Sequence, residues 1–228
     1  MHRKLVALAA LLALASSSAR ADLVIDDFGS SAQSAAVTGL GSTSSTTAAA
    51  VLGGTRTLFL DVTDNPLNRS AVASVDTGTG YFFLESGAGV GANGSIVYDA
   101  GGAGLGGVDL ASSGSQFTFD VVFGDASLAL GIQVTDTLGG TDTFTLSTPG
   151  VGLVNFLFGN FSGVDFSSVA SIAVLFSAPD GADLALNFVG VTGGNTTPPV
   201  VPEPTSAGLM GLGVVGLILA ARRRAARG

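Results

Sequence analysis

Cysteine is absent from all 228 residues, and the only histidine is His2. Without thiols the chain has neither disulfides nor thiolate metal sites, so its stability must come from burial and backbone pairing. Without histidine beyond residue 2, a Ser-His-Asp triad, a Cys-His pair and a histidine-ligated zinc site are excluded from the body. Tryptophan is absent, Tyr81 and Tyr98 are the only tyrosines, and Glu85 is the only glutamate before Glu203. Positive charge is missing from the middle: Arg3, Lys4 and Arg20 precede residue 22, Arg222, Arg223, Arg224 and Arg227 close the chain, and only Arg56 and Arg69 lie between. Residues 22–201 hold sixteen Asp or Glu and carry about −14, a balance that disfavours nucleic acid as a partner.

What the chain does have is apolar residues, at 46% enough for one packed domain. The first twenty-one residues combine a basic start, an apolar run from Leu5 to Ala15, and Ala19-Arg20-Ala21 as a small-x-small cleavage site. They predict a signal peptide removed by signal peptidase after Ala21; an amphipathic helix is the alternative, but this run is apolar all round. At the other end, the seventeen uncharged residues of 205–221 predict a transmembrane helix about 25 Å long at about 1.5 Å per residue. Arg222, Arg223 and Arg224 form its cytoplasmic stop, favoured over a buried core helix by the arginine cluster and the Pro-rich approach. The expected organisation is signal peptide 1–21, β-sandwich 22–193, Pro/Thr linker 194–201, and a sorting segment 202–228.

Pro202-Glu203-Pro204, the apolar segment and the terminal arginines, in that order, resemble the PEP-CTERM sorting signal of exported proteins in Gram-negative bacteria. The resemblance implies recognition by an exosortase, a membrane-embedded protease. It also implies transient anchoring in the inner membrane, cleavage near the motif, and delivery of the body to the cell surface or outside.

Between the ends, short runs rich in Phe, Val, Leu, Ile and Thr recur among Gly, Asn, Asp and Ser: 55–63, 81–86, 94–100, 116–123, 128–136, 141–148, 154–160, 171–178 and 183–191. About nine strands with regular turns and no sustained helical period predict an all-β, antiparallel β-sandwich. Gly139-Gly140, between alternating segments, predicts a hairpin with a two-residue turn. Residues 29–50 are small and polar, and predict a mobile loop or a weakly paired edge.

The opening "LVIDDFGS" and the closing "FSGVDFSSVASIAVLFSAPDGADLALNFVGV" resemble the first and last strands of jelly-roll domains of the galactose-binding or carbohydrate-binding-module type. That resemblance implies pairing of the two terminal strands. Asn187 stands where such strands often carry Asp. Oxygen donors without nitrogen or sulfur ligands suit a hard cation, so Asp26 and Asp27 with Asp180 and Asp183 form a candidate calcium set; acidic turns are the alternative.

Three functions compete. A carbohydrate-binding module needs an aromatic platform, for which Tyr81 and Tyr98 are the tyrosine candidates, although packing in a sheet serves them equally. A glycoside hydrolase would need paired carboxylates, and Glu85 has no distinctive partner. A non-enzymatic surface or matrix protein, structural or adhesive and associated with exopolysaccharide, needs no catalytic residue and fits the sorting segment. The sequence favours this third reading.

Overall fold

The computed structural model describes residues 22–125, 128–147 and 149–193. The signal segment with Ala19 and Ala21, the linker, the motif Pro202-Glu203-Pro204, the helix expected over 205–221, and Arg222, Arg223 and Arg224 lie outside the described residues. No described helix is long and apolar enough to cross a membrane.

The described chain forms thirteen strands: β1 (Leu23–Asp26), β2 (Gln33–Thr38), β3 (Gly41–Ala48), β4 (Thr55–Asp64), β5 (Ser70–Asp76), β6 (Tyr81–Ser86), β7 (Gly91–Tyr98), β8 (Gln116–Gly124), β9 (Ala129–Asp136), β10 (Thr141–Ser147), β11 (Gly152–Leu157), β12 (Val169–Ala178) and β13 (Leu184–Thr192). Two antiparallel sheets result. One runs β11-β8-β13-β6-β5-β2, with β1 also on β13; the other runs β10-β9-β12-β7-β4-β3. Each of the nine predicted runs contains a strand, although Phe158–Asn160 at the end of one form a 3-10 turn, and the fold is the predicted sandwich.

Alternation decides which side chains meet between the sheets. Leu58, Leu60 and Val62 of β4, Phe82 and Leu84 of β6, and Phe117, Phe119 and Val121 of β8 are buried at every second position and belong to one core cluster, as the two-residue period of a strand requires. Phe82 bridges Phe28 and Phe176 at 6.0 and 5.5 Å. Phe158 and Phe166 stack at 4.0 Å beside Phe117 and Phe161.

Three strands escape the hydrophobic pattern. β2, β3 and β5 are built of Ala, Ser, Thr and Val with one Gln, one Gly and one Asp. The segment predicted as loop or edge is therefore strand, and β2 and β3 are the edges of the two sheets on one flank. Backbone pairing with β5 and β4 holds them where side-chain hydrophobicity is weak. The hairpin β9–β10 exists, but Thr135 pairs with Thr141 and the connection is longer than the predicted two-residue turn. The Asp136 carboxylate explains the longer loop: it accepts the backbone N–H groups of Leu138, Gly140 and Asp165.

Candidate functional site

β1 pairs antiparallel with β13, joining the two ends of the body as the jelly-roll resemblance implied. The register places Asp26 opposite Val189, with its side chain turned inward and wholly buried. Arg56 on β4 meets it from the other sheet, Nη1 lying 2.9 and 3.2 Å from the two carboxylate oxygens. The remaining donors of Arg56 are also used: Nε bonds Gln33 Oε1 at 2.9 Å, and Nη2 bonds the carbonyls of Ser30 and Ser31 at 3.0 and 2.6 Å. Tyr98 donates to Asp26 Oδ2 at 3.0 Å, and the Phe28 N–H to Oδ1 at 2.8 Å. Burial pushes the Asp26 carboxyl above its ordinary value, opposed by the charge and hydrogen bonds of Arg56. Burial and the neighbouring carboxylate push the Tyr98 phenol well up.

This cluster corrects two expectations. Tyr98 has no exposed surface and is no sugar platform. Asp26 is committed to Arg56, and it is not brought to the acidic residues near the last strand. Asp183 precedes Leu184, at the opposite end of β13 from Val189, about 20 Å away at about 3.3 Å per residue. Asp183 accepts the Ser86 N–H, Asp27 accepts the Gly29 N–H, and Asp180 lines an open hollow with Asp64 and Asn93. No group of three or more acidic or histidine side chains among the described residues could hold a metal ion. Short-range turn bonding, the alternative weighed for these aspartates, accounts for Asp27.

Tyr81, by contrast, stands on the outer face of the seven-stranded sheet, with its ring 5.8 Å from Phe83 in edge-to-face contact. Alternation along β6 puts Tyr81, Phe83 and Glu85 outward while Phe82 and Leu84 enter the core. Ala185 pairs with Phe83 on one side and Phe123 on the other, so a small residue separates two rings in one cross-sheet row. Further along β13, Phe188 occupies the space a side chain at Gly190 would need, and its ring lies against the sheet. Phe123 is 48% exposed, while Tyr81, Phe83 and Phe188 are half-buried.

Polar groups flank these rings. Asp120 pairs with Phe188 and receives a hydrogen bond from Asn187 Nδ2 at 3.2 Å. Thr118 donates to Asn155 Oδ1 at 2.9 Å and shares a 2.7 Å bond with Thr192, which Gln116 Nε2 also reaches at 3.1 Å. These mutual bonds hold amide, hydroxyl and carboxylate groups in place beside apolar rings. Gln116 and Thr118 are buried, whereas Asp120, Asn155, Asn187 and Thr192 reach the surface, so such a face can stack the apolar side of a ligand while these four groups bond its polar ones. Sequence reasoning found Tyr81 but missed Phe83, Phe123, Phe188 and Asp120, because phenylalanine reads as core until the alternation and bulges of each strand are known.

Residues 200–224 match the PEP-CTERM protein-sorting motif, which indicates export and sorting to the cell envelope or surface and implies exosortase processing. No curated protein matches the chain. Among solved structures, the family 11 carbohydrate-binding module of the cellulosomal cellulase Lic26A-Cel5E of Clostridium thermocellum is similar at 16% identity and TM-score 0.41, over 77% of this chain and 96% of that one. The family 30 carbohydrate-binding module of cellulosomal cellulase Cel9D-Cel44B of the same organism is similar at 13% identity and TM-score 0.35, over 76% and 98%. TmCBM61, solved in complex with β-1,4-galactotriose, is similar at 12% identity and TM-score 0.32, over 66% and 88%.

Proposed function

We propose that this is an exported, non-catalytic surface protein whose sandwich binds polysaccharide through the outer face of the seven-stranded sheet, with an adhesive or matrix role. The observation that carries the reading is the row Phe83–Ala185–Phe123 on a solvent-facing sheet surface, with Phe188 further along β13 on the same face next to Asp120 and Asn187. A sugar ring has an apolar side and a rim of hydroxyls, and this surface offers a complement to both. The sorting motif supplies the place of action, the cell envelope.

The test is a glycan array probed with the purified protein. Saccharide binding that Phe188→Ala and Phe83→Ala each weaken by about tenfold or more supports the reading, since a buried aromatic anchor contributes on that scale. Binding unaffected by both substitutions places the ligand elsewhere. The same preparation should not hydrolyse ester, peptide or phosphate substrates, because the body has no His, Cys or Lys to activate a nucleophile. Turnover of a glycoside substrate that is lost on Glu85→Gln would replace this reading with a carboxylate-dependent glycoside hydrolase.

A further inference from the structure

β3 is an edge strand without the usual guards. Its eight residues pair with β4 from Gly41↔Val62 to Ala48↔Thr55 in unbroken register, with no bulge. It contains no proline, and no charged residue occurs between Asp27 and Arg56. Natural sheets protect such edges with lysine, proline, bulges or a covering element, because unpaired backbone groups are a template for another strand.

The geometry shows which groups are free for pairing. The Ala49 N–H bonds the Gly54 carbonyl, so residues 49, 47, 45, 43 and 41 face β4 by the alternation of an antiparallel ladder. Ser42, Ser44, Thr46 and Ala48 therefore turn their N–H and C=O groups away from β4. Ser31 Oγ donates to the Ala48 carbonyl at 2.7 Å, which agrees with that direction and leaves Ser42, Ser44 and Thr46 as the residues open to pairing. Among the described residues no strand pairs with this outer edge.

Charge identifies the occupant. Two bodies of about −14 repel over most of their surface, and this flank is where like charges are missing. We propose that β3 pairs antiparallel with β3 of a second copy about a two-fold axis at Ser44. That register pairs Ser44 with itself and Ser42 with Thr46 twice, so every outward N–H and C=O of the three residues gains a partner. Leu40, 69% exposed, then falls opposite Ala48 of the second copy. Asp61, on the neighbouring strand opposite Ser42, lies three strand spacings from its counterpart, laterally about 14 Å, beyond the screening length of about 8 Å at physiological salt.

The axis relating two antiparallel strands stands perpendicular to their sheet, so both six-stranded sheets join into one and both seven-stranded sheets face the same way. The pair thus presents two aromatic faces side by side. That bivalency rests on the polysaccharide reading above, whereas the strand pairing does not.

The natural absence of cysteine provides the test. Ser44→Cys and, separately, Ser95→Cys in the middle of the same sheet are placed in the full chain, purified in detergent, and oxidised mildly. Disulfide-linked dimer should form at 44 about tenfold or more faster than at 95, since paired thiols meet at high effective concentration. Adding Thr46→Pro should remove the difference while circular dichroism stays unchanged, because that N–H points away from β4 and an edge strand tolerates proline there. Should the proline variant fail to fold, Thr46→Lys guards the edge without touching the backbone. Equal rates at 44 and 95, an undiminished rate in a folded proline or lysine variant, or a thiol at 44 shielded from maleimide in a monomer would each overturn the proposal. Glycan binding retained by the monomeric variant separates this result from the fate of the sugar face.

Discussion

Asp26 and Arg56 form an ion pair at 2.9 Å in which neither side chain has any exposed surface. It links β1 of one sheet to β4 of the other, and Gln33, Tyr98 and the loop carbonyls satisfy what the pair leaves open. Removing one partner strands a buried charge. Arg56→Met or Asp26→Asn should cost about 3–5 kcal/mol, measured by urea unfolding, while Asp26→Leu with Arg56→Met together should cost less than either alone.

The two tyrosines should separate cleanly. Tyr98→Phe deletes a buried hydrogen bond to a carboxylate and should lower stability by about 1.5–3 kcal/mol, with glycan binding intact. Tyr81→Ala should do the reverse, weakening saccharide binding with the smaller stability loss, as titration and melting on the same samples will show.

Acid should destabilise the protein through the β9–β10 loop. Backbone N–H groups of Asp165 and Gly140 hold the Asp136 carboxyl below its ordinary value. Asp142 is lowered chiefly by the N–H groups of Ser162 and Thr143. A carboxylate whose folded pKa is depressed contributes stability above its unfolded value, and loses that contribution as pH falls through the folded one. Unfolding free energy should therefore drop below about pH 4, and Asp136→Asn should be less stable at pH 7 with a flatter acid limb.

Calcium should leave the melting temperature unchanged, as should a chelator, because Asp26 is occupied by Arg56 and Asp183 lies at the far end of β13. Selective binding to the native state would raise it. A calcium-dependent increase would show that the acidic residues converge after all.

Processing has its own readout. Mass spectrometry of the surface-exposed form should show residues 1–21 and the segment after Pro202-Glu203-Pro204 missing. Changing that motif to alanines should retain the longer precursor in the inner membrane. An intact C-terminus on the surface protein would leave a simple single-span anchor.

Strands rich in Phe, Leu and Val were legible because alternation and turn residues carry their own signal, as in 116–123 and 171–178. β2, β3 and β5 were not, since Ser, Ala and Thr are strand only when a neighbour supplies the hydrogen bonds. The candidate face was harder still. A phenylalanine in sequence does not say which side of a sheet it takes, and the bulges flanking Leu186 on the β8–β13 ladder reset that choice for the residues beyond.

Composition and local order suffice for the class of fold, the exclusion of thiol and imidazole chemistry from the body, the body's acidity and the sorting motif. Tertiary structure decided where each aspartate and aromatic ring acts. β1 does meet β13, but an antiparallel register sends Asp26 toward Arg56 and away from Asp183. Only pairing between residues far apart in the chain fixes that register, and with it which side chains become core, ion pair or surface.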